Sequence, residues 1–131
     1  MITEARQAAH RLPDIAPTDR LFRISPAGAD RYAVGVHWAL GDAGAALEAG
    51  RHLRPEQFPT PERTSRMHTD LARAWWQYGK PEQTTRELLA ALRVSPAEIR
   101  DRPSIRTIVS SLASRHPHTP GVRGLTLALT R

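Results

Sequence analysis

The sequence predicts an all-α protein made of stacked antiparallel helical hairpins, with six to seven helices. First, alanine, leucine and arginine dominate the composition, and these residues form helices more readily than valine, isoleucine and the aromatic residues, which are scarce. Second, eleven prolines divide the chain into short blocks, and none shows the period-two alternation of a strand. Third, a pattern of residues recurs at an offset of 38 positions.

Helix start and stop signals follow one another along the chain. Ser25 is expected to cap a helix that begins at Pro26, and Thr60 is expected to cap one that begins at Pro61. Ser95 and Glu98 form a predicted capping box. The predicted helices are 2–11, 26–40, one from Asp42 to before Pro55, 61–78, 81–94, one that begins at Pro103, and 121–129.

The predicted organisation is a single domain. Residues 1–25 are expected to form an N-terminal helix and loop, and residues 26–131 are expected to form the helical domain. A chain of 131 residues is long enough to bury a hydrophobic core of its own.

The charge of the chain is strongly positive. The formal net charge is +6, and Lys80 is the one lysine beside 18 arginines. Such a charge suits an acidic partner, a nucleic acid or an anionic ligand. An arginine-rich and alanine-rich composition is equally typical of proteins from high-GC genomes, so both interpretations remain open.

Several classes of function are not expected. The chain contains no cysteine, and its six histidines do not have the spacing of metal ligands on a helix. No residue set supplies a nucleophile, a base and an oxyanion site, so the protein is expected not to be an enzyme and to need no cofactor. Neither an apolar run of membrane-spanning length nor a signal core is present, which predicts a cytoplasmic protein.

The recurring pattern indicates an internal repeat. Trp38 and Gly41 correspond to Trp76 and Gly79, and each tract consists of a predicted helix, a glycine turn and a second helix. Such hairpins stack because each buries a face that neither could bury alone.

The repeat resembles the tetratricopeptide repeat. The second unit has the repeat's small, aromatic, glycine, large, alanine and proline residues at Ala72, Trp75, Gly79, Leu88, Ala91 and Pro96, whereas Thr84 replaces an alanine. The first unit matches at Val34, Gly41, Ala46 and Leu53. It departs at Gly50, which stands where the repeat has a large residue.

A longer resemblance covers most of the chain and is strongest in residues 30–110. It rests on VHWALGDAGAALEAGRHLRPEQFPTPERTSRMHTDLARAWWQYGKPEQT and VSPAEIRDRPSIRTIV. These stretches are similar to the C-terminal region of helix-turn-helix transcriptional regulators of high-GC bacteria. The resemblance implies a sensing or dimerising module that binds a peptide, a protein, a small-molecule effector or a second copy of itself. It does not cover the family's DNA-binding domain, so direct DNA binding is not expected of these residues.

The tetratricopeptide resemblance also implies a binding groove lined by the first helix of each pair. The residues at its groove positions are Arg31, Trp38, Arg66, Thr69, Arg73, Trp76 and Gln77. Two tryptophans flanked by arginines could hold an extended peptide or an anionic aromatic ligand by stacking and bidentate hydrogen bonds. The alternative is that one or both tryptophans fill the joint between hairpins.

Two alternatives concern nucleic acid. The segment TTRELLAALRVSPAEIR has the order of a helix-turn-helix DNA reader, but Leu89 and Arg93 depart from that motif, and a hairpin of the repeat explains the same residues. The chain could also be a stand-alone nucleic-acid-binding protein that uses an arginine-rich face.

A homodimer is expected because a short stack of hairpins leaves open ends that a second copy can cover.

Overall fold

The computed structural model describes residues 25–130, so the predicted helix 2–11 and the loop after it lie outside the described residues. Within residues 25–130 the chain forms seven α-helices and no strand. They are α1 (Pro26–Ala39), α2 (Ala43–Ala49), α3 (Pro61–Tyr78), α4 (Pro81–Val94), α5 (Ala97–Arg100), α6 (Pro103–Arg115) and α7 (Val122–Leu129), with a 3-10 turn at Pro55–Gln57. None of these helices is long and apolar enough to cross a membrane.

The predicted helix boundaries are confirmed where local capping sets them. The Ser25 Oγ accepts a hydrogen bond from the Gly28 amide at 3.0 Å, and the Thr60 Oγ1 accepts one from the Arg63 amide at 3.2 Å. Gly79 follows α3 with a φ of 85°, in the left-handed region that favours glycine. These signals act within one turn of the chain, which is why the sequence predicts them well.

The second helix is shorter than expected and ends just before Gly50, a residue that closely approaches its neighbours. The helix α2 ends at Ala49 and does not continue towards Pro55. A Cβ atom at Gly50 would lie 2.6 Å from the Leu71 Cδ2 and 2.9 Å from the Val34 Cγ2. The large residue of the tetratricopeptide repeat therefore has no room at this position.

The predicted capping box at Ser95 is wrong. No side chain caps α5, which has only four residues. The Ser95 carbonyl, together with that of Ala91, accepts hydrogen bonds from the buried Ser65 hydroxyl at 3.1 and 3.0 Å. Ser95 therefore anchors the end of α4 to α3 and does not start a new long helix.

Consecutive hairpins pack in layers. The helices α1 and α2 form the first hairpin, α3 and α4 the second, and α6 and α7 the third. The helix α3 is central, since it contacts α1, α2, α4, α5 and α6. The stacked antiparallel hairpins predicted from the sequence are thus observed among the described residues.

Two apolar clusters hold the layers together. The first joins α1 and α2 to α3 through Val34, Ala46, Met67, Leu71 and Ala74. The second joins α3 to the four helices that follow it through Ala72, Leu88, Ala91, Ile99, Ile105, Ile108, Val109, Leu112, Val122 and Leu125. Alanines at the helix contacts let the backbones approach closely. Both clusters use α3, so its two sides are fixed by packing on different neighbours.

Candidate functional site

A groove with a basic lining runs between α1 and α3. Its first part has a volume of about 350 Å³, and its second part has a volume of about 260 Å³. Both parts include Arg31 and Arg66, so they adjoin each other. We call this groove the basic groove; it is lined by Arg31, Tyr32, Gly35, Val36, Ala39, Leu40, Glu62, Arg63, Arg66, Asp70, Arg73, Glu98 and Arg102.

The floor of the basic groove is a carboxylate shared by three guanidinium groups. The Asp70 carboxylate lies 3.3 Å from the Arg31 Nη1, 3.2 Å from the Arg73 Nη2 and 3.0 Å from the Arg102 Nη1. The Asp70 side chain is only 6% exposed, and those of Arg73 and Arg102 are 13% and 12% exposed. Burial of this kind is stable only because each charge has partners.

Positive charge is nevertheless in excess. Arg66 lies at the mouth of the groove, 3.5 Å from the Glu98 carboxylate. The ion pairs join four arginines, Arg31, Arg66, Arg73 and Arg102, to two carboxylates, Asp70 and Glu98, which leaves a surplus of two positive charges. The remaining charged residues of the lining, Arg63 and Glu62, cancel each other. The side chains of Arg31 and Arg66 are 36% and 46% exposed, so part of this surplus faces solvent.

Arg73, a residue of α3, packs against Trp38 of α1. Its guanidinium carbon lies 3.8 Å from the centroid of the Trp38 ring, a cation–π contact. Its buried Nε has no hydrogen-bond partner among the described residues. Burial lowers the pKa of Arg73 from its ordinary value, as do the charges of Arg102 and Arg66, while Asp70 acts in the opposite direction. Burial is thus the main influence on the pKa of the Arg73 guanidinium, and the neighbouring cations add to it.

The structure brings three of the predicted site residues, Arg31, Arg66 and Arg73, into the basic groove. The Trp38 ring contacts the Arg73 guanidinium and packs against the first apolar cluster. The Gln77 amide donates a hydrogen bond to the Trp38 carbonyl at 3.1 Å, so it ties the end of α3 to the end of α1.

Two further predicted residues, Thr69 and Trp76, lie outside the lining of the basic groove, as Trp38 and Gln77 do. Thr69 is fully buried, and its hydroxyl accepts a hydrogen bond from the Arg102 Nη1 at 2.6 Å, so it positions that arginine. Trp76 packs against the second apolar cluster and meets His116 edge to face, with 5.9 Å between ring centroids. The repeat placed both positions on the first helix of a pair, but here α6 covers this side of α3.

Asp70, Arg102 and Glu98 were missed by the sequence reasoning. Asp70 had a usable signal, since it stands three residues before Arg73 on one helix face. Arg102 lies 32 residues after Asp70. Its backbone is extended because it precedes Pro103, and from there its side chain reaches Asp70. No local pattern connects these two positions.

The chemistry available in the basic groove is anion binding. Guanidinium groups offer paired donors that match a carboxylate or a phosphate, and two of them here are fixed by burial. Within residues 25–130, no group of three or more histidine, aspartate or glutamate side chains could hold a metal ion.

Comparisons with known proteins identify no relative. A scan against protein-family models gives no match, and neither does a search of curated proteins or of solved structures. The chemistry of the basic groove is therefore the main basis for a functional proposal.

Proposed function

We propose that this chain is a binding module that receives an acidic peptide, protein or small anionic effector in the basic groove. The observation that carries the proposal is the single Asp70 carboxylate shared by three guanidinium groups. One carboxylate cannot neutralise three cations, so an incoming anion gains a favourable interaction at the exposed side of Arg31. Arg66, which is 46% exposed at the mouth of the groove, offers a second guanidinium group.

The ends of the basic groove differ in polarity. Tyr32 and Leu40 are 62% and 72% exposed beside the first part of the groove, and both are large apolar residues. The second part is bordered by charged residues alone. A ligand with an apolar or aromatic group at one end and carboxylate or phosphate groups at the other fits this order.

We further propose that the module is the sensing or dimerising region of a bacterial transcriptional regulator. The support is the resemblance in residues 36–84 and 94–109, together with the observed stacking of helical hairpins. A cytoplasmic location and a homodimer belong to the same proposal. Sedimentation of the purified chain over a range of concentrations tests the dimer, and a monomer at every concentration would contradict it.

Binding of a labelled hexaglutamate peptide tests the role of the basic groove. The peptide is expected to bind, whereas hexaglutamine of the same length is not. Arg31→Gln and Arg66→Gln should each weaken binding by about tenfold, because each removes a charge-assisted contact worth about 1.4 kcal/mol. The control is Arg86→Gln, which removes an equal charge from an exposed position on α4 outside the groove. Equal weakening by all three variants would refute a specific site.

Nucleic-acid binding is the second candidate function, and the net charge of +6 favours it. A short DNA duplex titrated at several salt concentrations distinguishes it from peptide binding. Tight duplex binding with a steep salt dependence, lost equally in Arg86→Gln and Arg31→Gln, would favour a diffuse phosphate-binding face. Absence of duplex binding at low salt would eliminate this candidate.

A further inference from the structure

A second cleft lies on another face of α3, beside α2. Its volume is about 520 Å³, within the range of small-molecule sites. We call it the aromatic cleft; it is lined by Gly44, Leu47, Glu48, Gly50, Arg51, Leu53, Leu71, Trp75, Tyr78 and Glu87. It shares no lining residue with the basic groove.

The aromatic cleft exists because α2 is short. The helix α2 has seven residues, whereas α4, the second helix of the next hairpin, has fourteen. The chain leaves the helical path at Gly50, where glycine's weak helix propensity favours an end, and this residue lies close to Leu71 and Val34. The space beside Leu71 and Trp75 that a longer α2 would occupy is therefore open.

Aromatic and aliphatic side chains form most of its walls. The rings of Trp75 and Tyr78 meet edge to face, with 6.4 Å between centroids and 74° between planes. The Tyr78 side chain is exposed. Leu47 and Leu53 are half-buried and pack against the first apolar cluster. The lining of the cleft therefore combines aliphatic side chains with two aromatic rings.

The charge of the aromatic cleft is opposite to that of the chain. Its lining contains two glutamates and one arginine, whereas the whole chain carries a net charge of +6. Arg51 pairs with Glu48 at 3.1 Å, and both side chains are largely exposed. The Glu87 carboxylate is 24% exposed and is positioned by His68, whose Nδ1 lies 2.9 Å away.

We propose that the aromatic cleft binds a small organic cation with an apolar body. Glu87 supplies the opposite charge, Trp75 and Tyr78 supply cation–π contacts, and Leu47 and Leu53 contact the apolar part. The site is separate from the basic groove, so the chain would carry one site for an anion and one for a cation.

Isothermal titration with tetraphenylphosphonium and tetraphenylborate tests the proposal. The two ions have nearly the same shape and apolar surface but opposite charge. The phosphonium ion is expected to bind one site per chain. Borate that binds at the basic groove is recognised because Tyr78→Ala leaves its binding unchanged, and borate should bind the aromatic cleft at least about tenfold more weakly than phosphonium. Glu87→Gln should weaken phosphonium binding by about tenfold while preserving the size of the side chain. Glu56→Gln, an exposed glutamate outside the cleft, should leave it unchanged.

Tyr78→Ala is a second variant that does not disturb the pair of Glu87 and His68. It should weaken phosphonium binding about threefold to tenfold, since it removes one of the two rings. The matched control is Tyr32→Ala, which removes an exposed tyrosine from the basic groove. Circular dichroism confirms that each variant remains helical.

Three outcomes would overturn the proposal. One is equal affinity of the aromatic cleft for the two ions, seen as an equal loss of both on Tyr78→Ala, which would indicate apolar binding alone. Another is phosphonium binding that Glu87→Gln and Tyr78→Ala leave unchanged. The third is a dimer that these two variants dissociate without any added ion, which would make a second copy of the chain the occupant. None of these outcomes bears on hexaglutamate binding in the basic groove.

Discussion

Replacing Asp70 by asparagine tests whether its ion pairs hold the first two hairpins together. The substitution keeps the size of the side chain but removes the charge that Arg31, Arg73 and Arg102 share. Removing one partner from a buried ion pair costs about 3–5 kcal/mol, because the remaining charges are left uncompensated. The pair with Arg31 is partly exposed and adds at most about 1 kcal/mol, owing to solvent screening.

The expected loss for Asp70→Asn lies near the lower end, about 3 kcal/mol, because the asparagine oxygen can still accept a hydrogen bond. Urea unfolding followed by circular dichroism measures it. With a slope of about 2 kcal/mol per molar urea, the midpoint should fall by about 1.5 M. The control is Asp101→Asn, the same change at an exposed residue outside the groove, which should cost less than about 0.5 kcal/mol.

Sulfate provides an independent check of the same ion-pair network. In Asp70→Asn three guanidinium groups face one another without their carboxylate, so sulfate should bind there more tightly than in the wild type. At about five times its dissociation constant it would recover about 1 kcal/mol of stability. The general effect of sulfate on apolar burial is the same in both proteins and cancels in the comparison. A midpoint equal to that of Asp101→Asn, with no differential effect of sulfate, would refute the role given to Asp70.

Three further predictions concern the packing of the hairpins. Gly50→Ala should destabilise the protein by about 1–3 kcal/mol in urea unfolding, because the new Cβ would overlap Leu71 and Val34. The control, Gly35→Ala, has open space in the middle of α1 and should stabilise the protein by about 0.5–1 kcal/mol. Loss of stability in both variants would contradict the close approach at Gly50. Ser65→Ala should cost about 1–3 kcal/mol, since the fully buried hydroxyl bonds the carbonyls of Ala91 and Ser95, and a neutral result would refute that anchoring role. Trp76→Phe should leave hexaglutamate affinity unchanged while lowering the unfolding midpoint, because Trp76 packs on the second apolar cluster, and loss of affinity in the folded variant would return it to the groove.

The elements that the sequence predicted well are those with local causes. Thr60 and Pro61 begin α3, and Gly79 ends it, as capping and backbone sterics require. Gly50, a weak helix former, is a local signal for the end of α2, but no local pattern shows that Leu71 and Val34 leave no room for a side chain there. Equally, nothing local to Ser95 indicates that its carbonyl accepts a bond from Ser65.

The candidate site shows the same division between local and distant causes. Arg66 and Arg73 could be placed on one face of α3 from their spacing, with Arg31 opposite them on the preceding first helix. The repeat pattern also placed Trp76 in the groove, but a repeat assumes equal surroundings for equal positions. In the next hairpin, Arg73 covers the ring of Trp38. The ring of Trp76 instead contacts His116, and the guanidinium carbon of Arg115 lies 5.7 Å from its centroid. The third hairpin differs in sequence from the first two, so the equivalence ends there.

The two proposed sites depend on a single helix that presents differently charged faces to different neighbours. The face of α3 towards α1 carries Arg66, Asp70 and Arg73, and the face towards α2 carries Trp75 and Tyr78. Both sites are closed by the same first hairpin, which is fixed to α3 by the first apolar cluster and by the pair of Arg31 and Asp70. A change that loosens this hairpin should therefore weaken the binding of both the anion and the cation. A change confined to the lining of one site should affect the binding of one ligand only. This shared dependence gives the pattern expected across all the variants. Gly50→Ala should weaken the binding of both ligands, since it disturbs the packing of the hairpin as well as the lining of the cleft, whereas Arg66→Gln and Tyr78→Ala should each weaken the binding of one.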